Sequence, residues 1–215
     1  MGQQMPGTDQ SASDTREAIL DAAEQFLQTG RVRDLTVTRL MEPVPVSREA
    51  FYKHFPSRYA VIAALLGRFT HEVAAGFDVW LSGSDPVSDV RVMFDTASHA
   101  YMRRARTLRA VIDAAPMDKD LEAVWGEFVG GFVELAAARI RTDQAAGLTP
   151  ESVNPDLAAA SIVYLTERLI TQSIAGPQPP TREEVVDLLT AAAVGVFYPT
   201  AIGDRFTVGA AMTSR

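Results

Sequence analysis

The sequence predicts an all-α protein of about nine helices, and three observations carry this prediction. Apolar residues recur at intervals of three and four along most of the 215-residue chain. Residues that favour helix N-caps precede those stretches, and no stretch keeps the apolar–polar alternation of a half-buried strand. With 47% hydrophobic residues, the chain has enough apolar material for one or two packed cores.

The composition excludes several classes of protein. The chain has no cysteine, which removes disulfides, thiolate metal sites and cysteine nucleophiles. The first residues, MGQQMPGTDQSASD, have neither a basic start nor an apolar run, and no stretch reaches the roughly 18 uninterrupted apolar residues of a membrane span. We therefore expect a cytoplasmic protein that does not enter a membrane, and we expect no cofactor.

The charge is distributed unevenly along the chain. The formal net charge is −7, yet residues 31–58 carry +3. A small basic region on an acidic body suits a protein that presents one face to a polyanion, because the remaining surface is repelled. A solvated charge cluster is the alternative interpretation.

The first four helices follow from capping and breaking residues. Asp14, with a glutamate three residues later, has the pattern of a capping box, which predicts that helix one begins there and can end at Gly30. Thr36 and Ser47 are the predicted N-caps of two short helices, and Ser57 is that of a long fourth helix. Further helical patterns cover 87–104, 107–114, 118–146, 155–175 and 182–197, and the last two begin at Asn154-Pro155 and at a capping box of Thr181 and Glu184.

These patterns divide the chain into four predicted regions. Residues 1–13 are small and polar and predict a disordered arm. Residues 14–66 predict a helix-turn-helix domain, residues 67–200 a helical body with its own core, and residues 201–215 a tail.

The stretch SREAFYKH places polar and aromatic side chains on a short helix after a tight turn. Two short helices joined by a tight turn form the arrangement that inserts the second helix into the DNA major groove. Phe51 and Phe55 are four residues apart and can face the core, while Arg48 and Tyr52 share another face. Ser47 can cap the helix and bind a phosphate oxygen, and Arg48 can reach a guanine edge or a phosphate.

The segment VSREAFYKHFPSRYAVIAALL resembles the DNA-binding signature of the TetR family. In that family a serine-capped recognition helix carries an aromatic-tyrosine pair, ends in Phe-Pro-Ser and leads into a long helix. The resemblance implies that Tyr52 and Arg58 contact phosphates and that Arg48, Ala50 and Lys53 face base edges. The predicted DNA-binding residues are Thr36, Ser47, Arg48, Ala50, Tyr52, Lys53, His54 and Arg58.

The sequence departs from the family pattern in the turn before Ser47. The family usually has Ala-Gly there, whereas this chain has Val44-Pro45. Glycine can adopt a positive φ and proline cannot, so we expect a turn of different construction. The arm before helix one is not basic, which argues against a minor-groove contact.

The body resembles, more weakly, the subgroup that contains the mycobacterial repressor of the ethionamide-activating monooxygenase. The matching segments are VIDAAPMDKDLEAVWGEFV and LTERLITQSIAGPQPP. The resemblance implies an apolar channel for a small hydrophobic effector. The implied ligand-binding residues are Phe94, Ser98, Met102, Trp125, Val129, Phe132 and Thr166.

Some features of the body have two interpretations. Trp125, Val129 and Phe132 lie at i, i+4 and i+7 and form one stripe, which can be either core or pocket lining. Gly126, Gly130 and Gly131 interrupt the same predicted helix at a cost of about 1 kcal/mol each relative to alanine. Either close helix packing or space for a ligand can account for them.

The resemblance implies a homodimer formed by the helices at 155–175 and 182–197, with intrachain packing as the alternative. Two-fold symmetry then predicts a near-palindromic operator on double-stranded DNA. The chain shows no P-loop, nucleophile elbow or dinucleotide fingerprint. Asp95 and His99 make only half of a metal site, so none is expected.

The expected function is a ligand-responsive transcriptional repressor, which the effector releases from its operator. Two alternatives remain open from the residues alone. One is a DNA-binding architectural module without a ligand, and the other is a helical enzyme whose site has no recognised motif.

Overall fold

The computed structural model describes the backbone of residues 8–199 and the side chains of residues 13–199. This part of the chain forms eight α-helices and no strand, so the all-α prediction is confirmed and the predicted helix count is close. The helices are α1 (Thr8–Leu27), α2 (Val37–Met41), α3 (Arg48–His54), α4 (Arg58–Ser82), α5 (Pro86–Ala114), α6 (Lys119–Ala145), α7 (Pro155–Arg168) and α8 (Arg182–Phe197).

Several predicted N-caps are present with their hydrogen bonds. The side-chain oxygens of Thr36, Ser47 and Asn154 each accept from the backbone amide three residues later, at 3.2, 3.1 and 3.0 Å. Thr181 and Glu184 form the full capping box, with each side chain bonded to the other residue's backbone amide. Each cap satisfies an amide that has no partner within its helix.

Helix α1 begins at Thr8, so the predicted start at Asp14 is wrong. The helix also includes residues 8–13 of the predicted arm, whereas residues 1–7 lie outside the described residues, as does the predicted tail at 201–215. Serine and aspartate cost at most about 0.7 kcal/mol each inside a helix. A capping pattern therefore does not prevent a helix from beginning further upstream.

Helix α5 runs without interruption from Pro86 to Ala114, so the predicted break between 104 and 107 is wrong. The run of arginines there contains neither glycine nor proline, and arginine is a good helix former. Arg104 and Arg103 also donate to the two carboxylate oxygens of Glu72 on α4. Burial opposes ionisation of Glu72, but these hydrogen bonds hold its pKa below the ordinary value.

Three short segments have no counterpart in the predicted pattern. Val32–Asp34 and Ala115–Met117 are 3₁₀ turns. The pattern predicted at 155–175 is α-helical only to Arg168, because Leu169–Ile174 continues as a π-helical turn. Periodicity did not distinguish the π-helical turn from an α-helix.

The described chain groups into two compact units. The first contains the residues up to Arg68 together with Arg106–Trp125, and the second contains Phe69–Ala105 together with the residues from Gly126 onward. The division into functional domains at residue 66 stays a prediction.

In the first unit, α1 packs on α2 and α2 packs on α3. Arg68 of α4 reaches three carboxylates of α1, those of Glu17, Asp21 and Glu24, at 2.6, 2.7 and 3.2 Å. Burial acts to lower the pKa of Arg68, but the hydrogen bonds and charges of Glu17 and Asp21 raise it above the ordinary value. This ionic cluster joins α1 to the part of α4 around Arg68.

In the second unit, a buried ion pair lies at the end of α4. Arg139 Nε donates to both carboxylate oxygens of Asp143, at 2.9 and 3.0 Å, and both side chains are less than one-tenth exposed. Nη1 of Arg139 donates to the carbonyls of Trp80 and Leu81, at 2.5 and 2.9 Å. These carbonyls lie in the last turn of α4, where backbone acceptors lack helical partners.

Tyr198, directly after α8, completes this buried network. Its hydroxyl donates to Asp143 at 2.6 Å and accepts from the indole of Trp80 at 3.1 Å. Burial, and then the bond to Asp143, raises the pKa of Tyr198 well above its ordinary value. Phe197 stacks on Trp80 with ring centroids 5.6 Å apart. The ends of α4 and α8 are therefore joined through α6.

Helix α4 is long and apolar enough to cross a membrane by length and composition alone, although charged residues interrupt its apolar ones. The core helix of a water-soluble protein can have the same length and composition. Val61, Ile62, Leu65 and Trp80 of α4 are buried, which accounts for part of its apolar composition.

We expect Arg139→Ala to lower the free energy of unfolding by about 3–5 kcal/mol, because it leaves a buried carboxylate without its cation. Arg141→Ala is the matched control on the same helix. Its pair with Asp156 is more than half exposed on both sides, so its effect should stay within about 0.5 kcal/mol. Urea unfolding measures both, and equal losses would contradict the assigned role of Arg139.

Candidate nucleic-acid interface and effector site

The turn between α2 and α3 is built without a left-handed residue. The amide of Val44 donates to Met41 O at 3.1 Å, and the amide of Val46 donates to Val44 O at 2.8 Å. Among the described residues only Gly147 has a positive φ. Proline at 45 is compatible with this path, because it needs only a negative φ and gives no hydrogen bond.

Two phenylalanines anchor α3. Phe51 is fully buried and Phe55 nearly so, and their ring centroids lie 6.1 Å apart. Phe51 also meets the ring of Tyr52 edge-on, with the centroids 5.4 Å apart. The buried side of this helix is thus the one that the i, i+4 spacing predicts.

The opposite side of α3 presents cations and a tyrosine to solvent. Arg48 and Lys53 are exposed, and Tyr52 is 46% exposed. The guanidinium carbon of Arg48 lies 5.9 Å from the Tyr52 ring centroid. Lys53 pairs with Glu49 at 3.1 Å, but both side chains are more than two-thirds exposed, so the pair is weak and exchangeable.

The other predicted DNA-binding residues are either half-buried or exposed N-caps. Ala50 and His54 are half-buried on α3. Thr36 and Ser47 are exposed N-caps whose hydroxyl hydrogens are not used by the cap, since the oxygen is the acceptor. Arg58 is half-buried and donates to Leu35 O and to the hydroxyl of Tyr59.

The sequence reasoning missed two arginine-aromatic contacts of the first unit. Arg39 of α2 lies over Phe26 at 5.7 Å, and Arg16 of α1 lies over Phe55 at 5.2 Å, measured to the ring centroids. Each pair joins residues far apart in the chain, so no local spacing announces it. The first contact joins α2 to α1, and the second joins α1 to the residue that follows α3.

An aromatic cluster lies in the second unit, on α4, α5 and α6. Successive ring centroids are 6.0, 5.8, 5.1 and 4.9 Å apart. Three of the rings remain half-buried, so part of their surface is not covered by the protein. The members of the cluster, in contact order, are Tyr101, Phe69, Phe128, Phe132 and Phe77.

Phe132 is the predicted effector residue that joins this cluster. Phe128 was missed, although it lies four residues before Phe132 and so on the same side of α6. The other predicted residues of the second unit are Phe94, Ser98 and Val129, which are buried, and Met102 and Thr166, which are half-buried. Trp125 belongs to the first unit and is half-buried.

The two predicted polar ligand contacts are hydrogen-bonded within their own helices. Ser98 Oγ donates to Asp95 O at 2.6 Å, and Thr166 Oγ1 donates to Ile162 O at 2.8 Å. Asp95, the carboxylate of the suggested half metal site, pairs with Arg182 at 2.6 Å. The hydroxyl oxygens of Ser98 and Thr166 each keep an acceptor lone pair, so they can accept a hydrogen bond from a ligand.

The glycines of α6 do not serve close packing. A Cβ added at Gly126, Gly130 or Gly131 would meet no heavy atom within 4 Å outside its local backbone. Gly76 on α4 is the opposite case, because a Cβ there would lie 2.8 Å from the carbonyl oxygen of Met93. Of the two interpretations, close approach therefore applies to Gly76, and open space applies to α6.

Solved structures share the fold of this chain. GusR of Salmonella enterica is 18% identical, with a TM-score of 0.70 over 86% of this chain and 95% of that one. A TetR-family transcriptional regulator from Pectobacterium atrosepticum is 19% identical, with a TM-score of 0.57 over 86% and 93%. The chain has the fold of such regulators.

Similarity in amino-acid sequence identifies the family more narrowly than the fold does. Residues 90–199, just over half of the chain, match the family model described as the C-terminal domain of the transcriptional regulator EthR. The HTH-type transcriptional regulator EthR of Mycolicibacterium smegmatis is 27% identical over 183 residues, which cover 84% of each chain. The chain therefore belongs to the EthR-related branch of the TetR family of transcriptional regulators, and the predicted class, a regulator and not an enzyme, is confirmed.

Alanine at the two kinds of glycine should have opposite effects on stability. We expect Gly130→Ala to raise the free energy of unfolding by roughly 0.5–1 kcal/mol, since it lowers backbone entropy in a helix without a clash. Gly76→Ala should lower it by about 1–3 kcal/mol, because the new methyl group meets a backbone carbonyl. Thermal and urea unfolding of both variants measure the sign of each change in the free energy of unfolding. A destabilising Gly130→Ala would contradict the conclusion that the space beside Gly130 is open.

Proposed function

We propose that the protein is a cytoplasmic repressor that binds a near-palindromic operator as a homodimer and leaves it when a small hydrophobic effector binds. The observation that carries the proposal is α3, whose apolar side is anchored by Phe51 while Arg48, Tyr52 and Lys53 face solvent. Membership in a family of transcriptional regulators supports placing DNA against this side.

In this proposal, α3 enters the major groove and its residues divide into two kinds of contact. Arg48 and Lys53 meet base edges, with Ala50 leaving room for close approach. Tyr52 and the hydroxyls of the caps Thr36 and Ser47 bind phosphates. The weak Lys53–Glu49 pair opens at little cost when a stronger anion approaches.

Exposed apolar residues on α7 and α8 support the proposed dimer. These two helices pack on each other in the second unit, yet they leave four large apolar or aromatic side chains at least 39% exposed. Apolar residues concentrated in one helix pair are a feature of protein interfaces. The four are Leu157, Tyr164, Leu165 and Leu188.

The aromatic cluster and the glycines of α6 support an apolar effector site in the second unit. Half-buried rings provide apolar surface that a ligand can cover, and the open space beside Gly130 and Gly131 provides room. We propose that the effector contacts the predicted ligand-binding residues of this unit, which are Phe94, Ser98, Met102, Val129, Phe132 and Thr166. Its binding selects a conformation in which the two recognition helices no longer match the operator half-sites.

Selection of bound sequences from random duplex DNA, followed by affinity measurements, tests the DNA contacts. Arg48→Ala should cost about 1–3 kcal/mol on the selected site and relax the sequence preference, whereas Tyr52→Phe should weaken binding to all sequences alike. Lys119→Ala, an exposed cation of α6, is the control that should leave affinity unchanged. Equal losses on selected and random DNA for both α3 variants would reject base reading by Arg48.

Charged substitutions on α7 and α8 test the dimer. We expect Leu157→Arg and Leu188→Arg to shift the protein from dimer to monomer, with a dissociation constant at least about tenfold higher, because a charge would be buried in the interface. Val92→Arg on α5 is the matched control, since Val92 is 44% exposed but lies outside these helices. Sedimentation velocity distinguishes dimer from monomer. If only Val92→Arg dissociates the dimer, the interface does not lie on α7 and α8.

A further inference from the structure

Arg58 joins the two ends of the segment that contains α2 and α3. Its Nη1 donates to the carbonyl oxygen of Leu35 at 2.7 Å, across a sequence separation of 23 residues. Leu35 directly precedes Thr36, the N-cap of α2, and Arg58 is the first residue of α4, after α3. This hydrogen bond therefore closes the chain around the whole helix-turn-helix segment.

The neighbouring Tyr59 fixes the orientation of the Arg58 guanidinium. Nη2 of Arg58 donates to the Tyr59 hydroxyl at 2.8 Å, and the guanidinium carbon lies 4.7 Å from the Tyr59 ring centroid. A planar guanidinium can donate from two nitrogens and contact a ring at the same time, whereas an ammonium group acts as a single point. The contacts of Arg58 thus depend on the shape of its side chain as well as on its charge.

The segment that Arg58 closes has little stability of its own. Helices α2 and α3 have five and seven residues, which is too short for either to be stable without packing and caps. Leu35 is fully buried, so its carbonyl requires a donor from within the protein. Arg58 provides that donor at the point where the chain enters α2.

We propose that Arg58 is a positioning residue for DNA binding, which holds α2 and α3 in the orientation that the groove requires, and that it does not act by neutralising a phosphate. The proposal rests on the proposed DNA-binding function. It assigns Arg58 a role different from the phosphate contact that the family resemblance implies for this position.

The two roles respond differently to substitution. A phosphate contact needs positive charge, so Arg58→Lys would keep the affinity, and Arg58→Gln would reduce the slope of log affinity against log salt by about one. Positioning needs two nitrogens in one plane, so Lys and Gln lose affinity to a similar extent. The salt slope then stays at the wild-type value, because no phosphate contact has been lost.

The first measurement is binding of the full-length variants to the selected duplex at several salt concentrations. We expect about tenfold or greater weakening for both Arg58→Lys and Arg58→Gln, with an unchanged salt slope. Tyr59→Phe removes one partner of Arg58 but no charge, and it should weaken binding by a smaller factor. Wild-type affinity of Arg58→Lys, together with a lower slope for Arg58→Gln, would overturn the proposal.

The second measurement is amide hydrogen exchange of the free protein, which needs no DNA. In Arg58→Lys and Arg58→Gln, amides of residues 36–55 should exchange at least about tenfold faster than in wild type, while those of α7 and α8 are unchanged. Unchanged exchange over 36–55 would overturn the proposal. If wild-type protein prefers no duplex, the proposed function fails, and exchange still decides whether Arg58 orders the segment.

Discussion

The buried pair of Arg139 and Asp143 is the interaction on which the second unit depends most. Two opposite charges removed from water are costly unless each remaining hydrogen-bonding group is satisfied. Here Asp143 also accepts from Tyr198, and Arg139 also donates to the last carbonyls of α4. The Arg139–Asp143 pair of α6 therefore caps α4 and also bonds the residue that follows α8. Stacking of Phe197 on Trp80 covers the site with apolar surface.

In the first unit, tertiary contacts stabilise two very short helices, α2 and α3. Side-chain caps at Thr36 and Ser47 satisfy the first amides, and Phe51 supplies the buried anchor. Ionic contacts of Arg68 attach α1 to α4, and Arg58 closes the segment between Leu35 and α4. Cations of this unit thus have structural as well as electrostatic roles, and net charge alone does not show which arginines remain available to DNA.

The aromatic cluster and the glycines of α6 give the second unit an uneven packing. Around Gly76 the backbones of α4 and α5 approach so closely that only glycine fits. Around Gly130 and Gly131 a methyl group would meet nothing, although a helix gains stability from alanine over glycine. In the proposed function, this space is room for an apolar ligand that covers the half-buried rings.

The sequence by itself determined the helical class, the caps at Thr36, Ser47 and Thr181, and the buried side of α3. These features depend on residues three or four apart, whose contacts the helix geometry makes inevitable. It did not determine where α1 begins or that α5 is unbroken, because each outcome depends on differences of only about 1 kcal/mol or less per residue.

Only the tertiary structure decided which arginines are buried, that Arg58 bonds Leu35, and that Arg139 caps α4. The partners in those contacts lie far apart along the chain, and burial and distance are set when the helices pack. The same holds for the glycines, since one residue type marks close approach at 76 and open space at 130.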